Sequence, residues 1–360
     1  MRNAAWPLAL LWLMASTQNA SAHGCIAVRG GSMCPLTLTG DDRYLASGDT
    51  RVATNFQWFQ SDRHFIGDDE FTLPNELGAE AINESWYMDI NVQHAWTDRI
   101  TLSAVIPWVY STRSTLYEHD NINRHTTSAG GLGDIRIAAH YWLLDPAQRP
   151  DANLTLGMGP KLPTGQYDAQ DTFYTSQGPV KAAVDQSIQP GDGGFGWTLE
   201  LNGFYRFAPD LDLYLQGYYL FNPRNTNGVE TTPNDRPPNP YQAVNSVPDQ
   251  YIARLGLNYA VKPAWGMVLS LGGRIEGVPV RDVFGASEGF RRPGYAVFIE
   301  PGIHLTKQAW SFDLSVPVAV YRNRLQSLAD KKLSDLTGLD IRGDAAFADY
   351  VISANLSFQF

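Results

Sequence analysis

The last eleven residues constrain the fold of this chain more than any other stretch. In Tyr350-Val351-Ile352-Ser353-Ala354-Asn355-Leu356-Ser357-Phe358-Gln359-Phe360, one parity carries Tyr, Ile, Ala, Leu, Phe and Phe, and the other carries Val, Ser, Asn, Ser and Gln. Successive side chains of a strand point to opposite faces, so this segment reads as a strand with one apolar and one polar side. A helix would scatter the same residues around its axis. The pattern recurs: Trp197, Leu199, Leu201, Gly203, Tyr205 and Phe207 alternate with Thr198, Glu200, Asn202, Phe204 and Arg206, and Leu211 to Phe221 repeats it. Further strands are predicted near 50–60, 85–96, 99–111, 133–144, 152–162, 250–261, 265–276, 295–306 and 309–321, about twelve in all, an even count of the kind found in single-chain bacterial barrels.

The connections sort by length. Thr97-Asp98, Pro209-Asp210, Lys262-Pro263 and Lys307-Gln308 are tight turns, and Asp145 to Asp151 is slightly longer. Between them lie long polar segments at 61–84, 112–130, 163–195, 222–249, 277–294 and 322–348. Long and short connections alternate, as an all-β, antiparallel, up-and-down transmembrane barrel requires when its short turns are periplasmic and its long loops extracellular. A soluble sandwich has no reason to sort its loops this way. Trp86, Trp96, Trp108, Tyr110, Trp197, Tyr205, Tyr219, Tyr251, Tyr259, Trp265, Tyr295 and Trp310 sit near strand ends on the apolar parity, where aromatic girdles meet lipid headgroups.

The N-terminus agrees with export. Arg2, the apolar run Pro7 to Ala15, and Ala20-Ser21-Ala22 form a signal peptide over residues 1–22, too short in its apolar run for a spanning helix. Residues 23–49 then read as a periplasmic segment and 50–360 as the barrel. Cys25 and Cys34 are the two cysteines of the chain. In an oxidising compartment they are expected to pair, with a soft-metal site including His23 and Met33 as the alternative. The formal net charge of −10 argues against a nucleic-acid partner.

On the polar parity, which a barrel turns inward, lie Arg51, Arg136, Lys161, Arg206, Arg254 and Arg274 with Asp89, Glu200, Asp212, Glu276, Glu300 and Asp313, joined by His140, His304 and several Asn and Gln. These are the predicted lumen-lining residues. The even mix of signs predicts ion pairs across the lumen rather than a single-sign ion filter. Twelve strands enclose less space than general porins do, and the long loops can narrow it further. Segment 322–340 spaces Leu325, Leu328, Leu333, Leu336 and Leu339 close to a helical period.

Enzymatic chemistry was sought on the pattern of an outer-membrane lipase. His94 is the histidine on an outward strand parity, while Thr101 and Ser103 on the next strand point inward, so parity keeps those two hydroxyls from reaching it. No cofactor or barrel metal site is indicated, and the chain reads as a non-enzyme. Arg342-Gly343-Asp344 matches an adhesion tripeptide, and Asp68, Asp69, Glu70, Glu76 and Glu80 form an acidic set open to calcium; chance and a solvated loop are the competing readings.

Residues 130–168 carry a family resemblance. Gly130-Gly131-Leu132-Gly133-Asp134-Ile135, followed by Leu154 to Gly165 with its ending Lys161-Leu162-Pro163-Thr164-Gly165, resembles the family named for the MetA pathway of phenol degradation. The resemblance implies an outer-membrane transporter for passive uptake of small molecules, including aromatic or otherwise hydrophobic compounds. Phe360 resembles the terminal signature read by the barrel assembly machinery, which makes that machinery and outer-membrane lipid the expected partners. The alternative is a barrel that scaffolds a periplasmic redox or export protein through residues 23–49; an outer-membrane enzyme comes third.

Overall fold

The computed structural model describes residues 44–231, 239–262 and 266–360. The signal segment, Cys25, Cys34 and Trp265 lie outside them. Twelve antiparallel strands close into one barrel: β1 (Thr50–Ile66), β2 (Ile82–Thr97), β3 (Ile100–Thr115), β4 (His125–Leu132 and Arg136–Trp142), β5 (Ala152–Lys161), β6 (Gly196–Ala208), β7 (Leu211–Phe221), β8 (Gln250–Lys262), β9 (Met267–Val278), β10 (Gly294–Lys307), β11 (Trp310–Ser315 and Val318–Arg324) and β12 (Ala345–Gln359). Each pairs with its sequence neighbours, and β12 returns to β1 with Arg51 opposite Gln359 and Asn55 opposite Asn355. Closure leaves no unpaired sheet edge, as a spanning sheet in lipid requires.

The predicted parity holds around the sheet. Ile90, Leu102, Trp108, Leu156, Leu199, Leu255, Leu271, Ile299 and Leu356 point out and are exposed, whereas Asp89, Asn91, Ser103, Asn202, Arg274 and Asn355 point in and are buried. The alternation of short and long connections also holds. The short-turn end carries both the start of β1 and the end of β12. The long-loop end carries, among other elements, a hairpin (Gln170–Thr175 with Gly178–Ala183) and a helix, α1 (Leu328–Thr337). Ser327 and Asp330 close a capping box at the start of α1, and Gly338 ends it at φ 69°. This helix falls within the segment whose leucines are spaced for one.

Two differences from the sequence reading share a cause. β4 begins at His125, inside a stretch read as loop, and breaks at 133–135; β11 breaks at 316–317. Opposite the first break stands Pro107 of β3, whose carbonyl accepts from the Gly133 amide at 2.8 Å. Proline has no N–H to offer the ladder, so a bulge there strands no donor. The second break falls at Pro317 itself, whose carbonyl takes the Val351 amide at 3.0 Å.

Candidate functional site

The two halves of the sequence motif meet at the β4 break. Thr164 Oγ1 donates to the Gly133 carbonyl at 2.8 Å and accepts from the Ile135 amide at 2.9 Å, and the Gly165 amide donates to Asp134 Oδ1 at 2.9 Å. A β-carbon on Gly165 would lie 2.8 Å from Gly191 Cα and 2.9 Å from the Gly133 carbonyl carbon, so three backbones touch where only glycine fits. The motif thereby fixes the break and docks the loop 162–195 into the barrel, leaving Pro190, Gly191 and Asp192 buried.

That docking assembles a charge cluster. Lys161 Nζ reaches Asp134 at 3.2 Å and also pairs with Asp192, which takes a hydrogen bond from Asn222 Nδ2 at 3.2 Å. All four side chains are nearly inaccessible to solvent. Around them Tyr87, Arg136, Tyr218 and Gln250 enclose a cavity of about 40 Å³, room for water but not for a ring compound. Here the docked loop packs against inward side chains of the barrel wall. Sequence reasoning found Lys161 and missed both of its carboxylates, because Asp134 sits in the break and Asp192 in a loop, where strand parity says nothing.

Of the other inward residues, Arg51, Asp89, Arg136, His140, Glu200, Asp212, Arg274, Glu276, Glu300 and His304 are buried, while Arg206, Arg254 and Asp313 are partly exposed. The charges pair locally rather than across the barrel as expected. Arg254 lies 3.3 Å from Glu300, Arg206 lies 3.2 Å from Asp212 and 3.3 Å from Asp151, and Arg274 pairs with Glu276 two residues along its own strand. The reason is reach: side chains on the same strand, on adjacent strands or across a single intervening strand, as where Gly272 of β9 lies beside Glu300, are closer than side chains on opposite walls. Arg136 lies over the Tyr218 ring at 5.5 Å and Arg274 over Phe298 at 5.5 Å.

Both predicted lumen histidines meet hydroxyls, as does His94, whose Nδ1 lies 3.0 Å from Thr50 Oγ1. Ser103 Oγ contacts His140 Nε2 at 2.9 Å. His304 Nδ1 contacts Asp313 Oδ1 at 2.6 Å, Thr306 Oγ1 contacts His304 Nε2 at 2.7 Å, and Asn355 donates to Asp313 Oδ2 at 2.9 Å. The carboxylate makes Nδ1 the donor toward Asp313. Thr306 lines a cleft of about 260 Å³ at the short-turn end, bordered by Arg51, Trp310, Gln359 and Phe360.

The long-loop end is tied by buried ion pairs absent from the parity argument. Arg113 binds Glu118 at 2.7 Å, Arg292 binds Asp185 at 2.6 Å, and Arg291 binds Asp282 at 2.6 Å. His64 meets Asp344 at 2.8 Å, both fully buried. Asp344 is therefore not presented to a receptor, and the tripeptide reading of 342–344 falls. Within the acidic set, Glu70 is bound by Arg63 at 2.6 Å and Glu80 by Arg124 at 3.0 Å, so those carboxylates do not converge on a cation.

A titratable contact helps hold this end. His119 stacks on Phe173 at 5.3 Å, lies 4.9 Å from the His125 ring, and accepts the Tyr174 amide on Nδ1 at 3.1 Å. Burial first, then His125, pushes its pKa down to about 4, against smaller upward effects of Asp120 and Asp171. A histidine released from this contact takes a proton near its ordinary value of 6.5, and the docked one only near 4. The contact therefore has its full strength above pH 6.5 and weakens as the pH falls toward 4. The protection of the Tyr174 amide against hydrogen exchange, taken relative to its intrinsic rate at each pH, should fall over that window and stay flat above it; protection flat throughout would contradict the assignment.

Among solved structures, an outer membrane channel from Pseudomonas putida F1 is 14% identical, with 89% of this chain and 99% of that chain covered at a TM-score of 0.57. The β domain of a Bordetella autotransporter is 14% identical over 87% of this chain and 100% of that chain, at a TM-score of 0.45. A toluene transporter from Ralstonia pickettii is 9% identical over 88% and 90%, at 0.41. No family model matches the chain, and no curated protein matches its sequence. The first likeness is one of fold: this chain folds as a closed twelve-stranded barrel similar in architecture to an outer membrane channel.

Proposed function

We propose that the protein is a passive channel of the Gram-negative outer membrane for small molecules, including aromatic or otherwise hydrophobic compounds. One observation carries this reading: the sheet is closed, apolar over most of its outer face, and lined inside largely by charged and hydrogen-bonding side chains. Such a sheet is stable in lipid, and its interior is an aqueous route once the inward loop yields. The fourteen predicted inward residues, from Arg51 to Asp313, are the proposed lining of that route, with the Lys161 cluster where the loop docks into it. The resemblance of residues 130–165 to the MetA-pathway phenol degradation family supports the same reading, and the fold likeness to an outer membrane channel is compatible with it. The barrel assembly machinery is the proposed partner that reads Phe360, whose backbone pairs with Thr50 of β1.

The small cavity beside Lys161 favours one second reading, a closed barrel that anchors a periplasmic partner through residues 23–49. Orientation is common to both and is tested by labelling. Ile122→Cys, exposed at the long-loop end, should react with a membrane-impermeant maleimide on intact cells, and Ala147→Cys, exposed at a short turn, should react only after lysis. The native protein serves as the control for Cys25 and Cys34. Labelling of Ala147→Cys on intact cells would invert the barrel.

A further inference from the structure

Residues 44–49 follow the short-turn rim. The Gly48 amide donates to the Ala95 carbonyl at 2.8 Å, the Ala95 amide to the Asp49 carbonyl at 3.0 Å, and the Ser47 amide to Asp98 at 3.0 Å. This path carries Tyr44 from β1 to the inner wall of β4–β7. There its ring meets Trp142 at 4.7 Å with planes 62° apart, and Phe204 at 6.0 Å and 67°. Tyr214 packs against the same cluster. The Tyr44 hydroxyl donates to the Arg149 carbonyl at 3.0 Å and accepts from Asn153 Nδ2 at 3.2 Å.

The slot is organised independently of its occupant. Trp142 and Phe204 are buried inward residues of two strands. Asn153 is held by the turn it belongs to: its Oδ1 accepts the Leu144 and Leu154 amides at 3.0 and 2.8 Å, and its Nδ2 also donates to the Leu144 carbonyl at 3.0 Å. Edge-on rings supply the contact an aromatic face prefers. The amide and the carbonyl supply one donor and one acceptor for a hydroxyl. A wall offering both selects a ring that bears a hydroxyl over one that does not, since an unfilled donor and acceptor count against the plain ring.

We propose that Trp142, Phe204, Tyr214, Asn153 and the Arg149 carbonyl form a binding site for a monocyclic phenol, which Tyr44 fills in the absence of solute and which an arriving phenol takes by displacing it. The site lies at the short-turn mouth, on the route assigned above. The proposal rests on the channel reading for how solute arrives, but not for whether it binds. Tethering gives Tyr44 an effective concentration in the millimolar range, so free phenol competes with it only at comparable concentration. Removing the ring removes the competitor.

The test uses the folded full-length mature protein in detergent, with 4-fluorophenol and fluorobenzene followed by fluorine NMR. Tyr44→Ala is expected to bind 4-fluorophenol at least about tenfold tighter than the native protein, and to prefer it to fluorobenzene. Adding Trp142→Leu should abolish the gain; heat-modifiable gel mobility verifies that each variant is folded. Should Trp142→Leu not fold, Phe204→Leu in the Tyr44→Ala background replaces it. Equal binding of 4-fluorophenol by native and Tyr44→Ala protein overturns the site, and so does equal gain for fluorobenzene, which would mark a greasy cavity only. Conductance recorded on the same preparations separates the two readings. Binding without conductance keeps the site and removes the channel, and conductance without binding does the reverse.

Discussion

Lys161→Met is expected to destabilise the barrel by about 3–5 kcal/mol and to loosen the docked loop, because it leaves Asp134 and Asp192 facing each other without their shared cation. Lys161 is buried, so water does not replace the lost partner. Part of the loss is recovered if one acid takes up a proton, and the rest acts on the segment that brings Asp192 inward. Two readouts follow. The urea midpoint should fall, and protease should gain access between residues 184 and 196, a stretch almost wholly buried in the native protein. Double replacement with Asp134→Asn and Asp192→Asn should restore much of the stability, since no uncompensated charge then remains. An unchanged midpoint in Lys161→Met would mean that this cluster does not hold the loop.

Leu255→Arg is expected to cost roughly 2–4 kcal/mol, because Leu255 lies near the middle of β8, points outward and is 53% exposed to what would be hydrocarbon. Leu255→Ala should cost little by comparison. The next residue fails for a different reason. A β-carbon on Gly256 would stand 2.6 Å from Gly272 Cα and 2.6 Å from Tyr214 Cε1, since the Tyr214 ring covers the glycine pair from inside. Gly256→Ala should therefore cost about 1–3 kcal/mol through overpacking alone. Strand parity alone places position 256 inward, and the ring over it leaves no room there for a larger side chain. Heat-modifiable mobility after refolding into lipid vesicles ranks the three variants. Arginine tolerated at 255, with alanine harmful there, would place the strand one residue out of register.

How far such features were readable beforehand depends on their range. Parity is local, and a barrel in lipid enforces it on every strand, so Leu255 outward and Arg254 inward followed from two adjacent letters. The sorting of loops by length was equally local. The breaks in β4 and β11 had a local signal in Pro107 and Pro317 that the alternation count passed over. What strand parity could not reach was convergence: Asp134, Lys161 and Asp192 span 58 residues, and only the docking of a loop unites them. Gly133, Thr164 and Gly165 were legible as a motif, but not as the clamp that makes that docking. Tyr44 lay outside the predicted strands, although Trp142, Phe204 and Tyr214 fell on the inward parity and so marked a ring-rich wall in an otherwise polar lining.

Whether this barrel conducts is decided by recording single molecules of the purified protein in a planar bilayer. Small, discrete conductance steps are expected from the native protein and larger ones from the Lys161→Met, Asp134→Asn, Asp192→Asn triple variant, in which the inward loop is no longer pinned by charge. Correctly folded native and triple-variant protein that inserts and yet passes no current, alone or with a small phenol present, would contradict the channel reading.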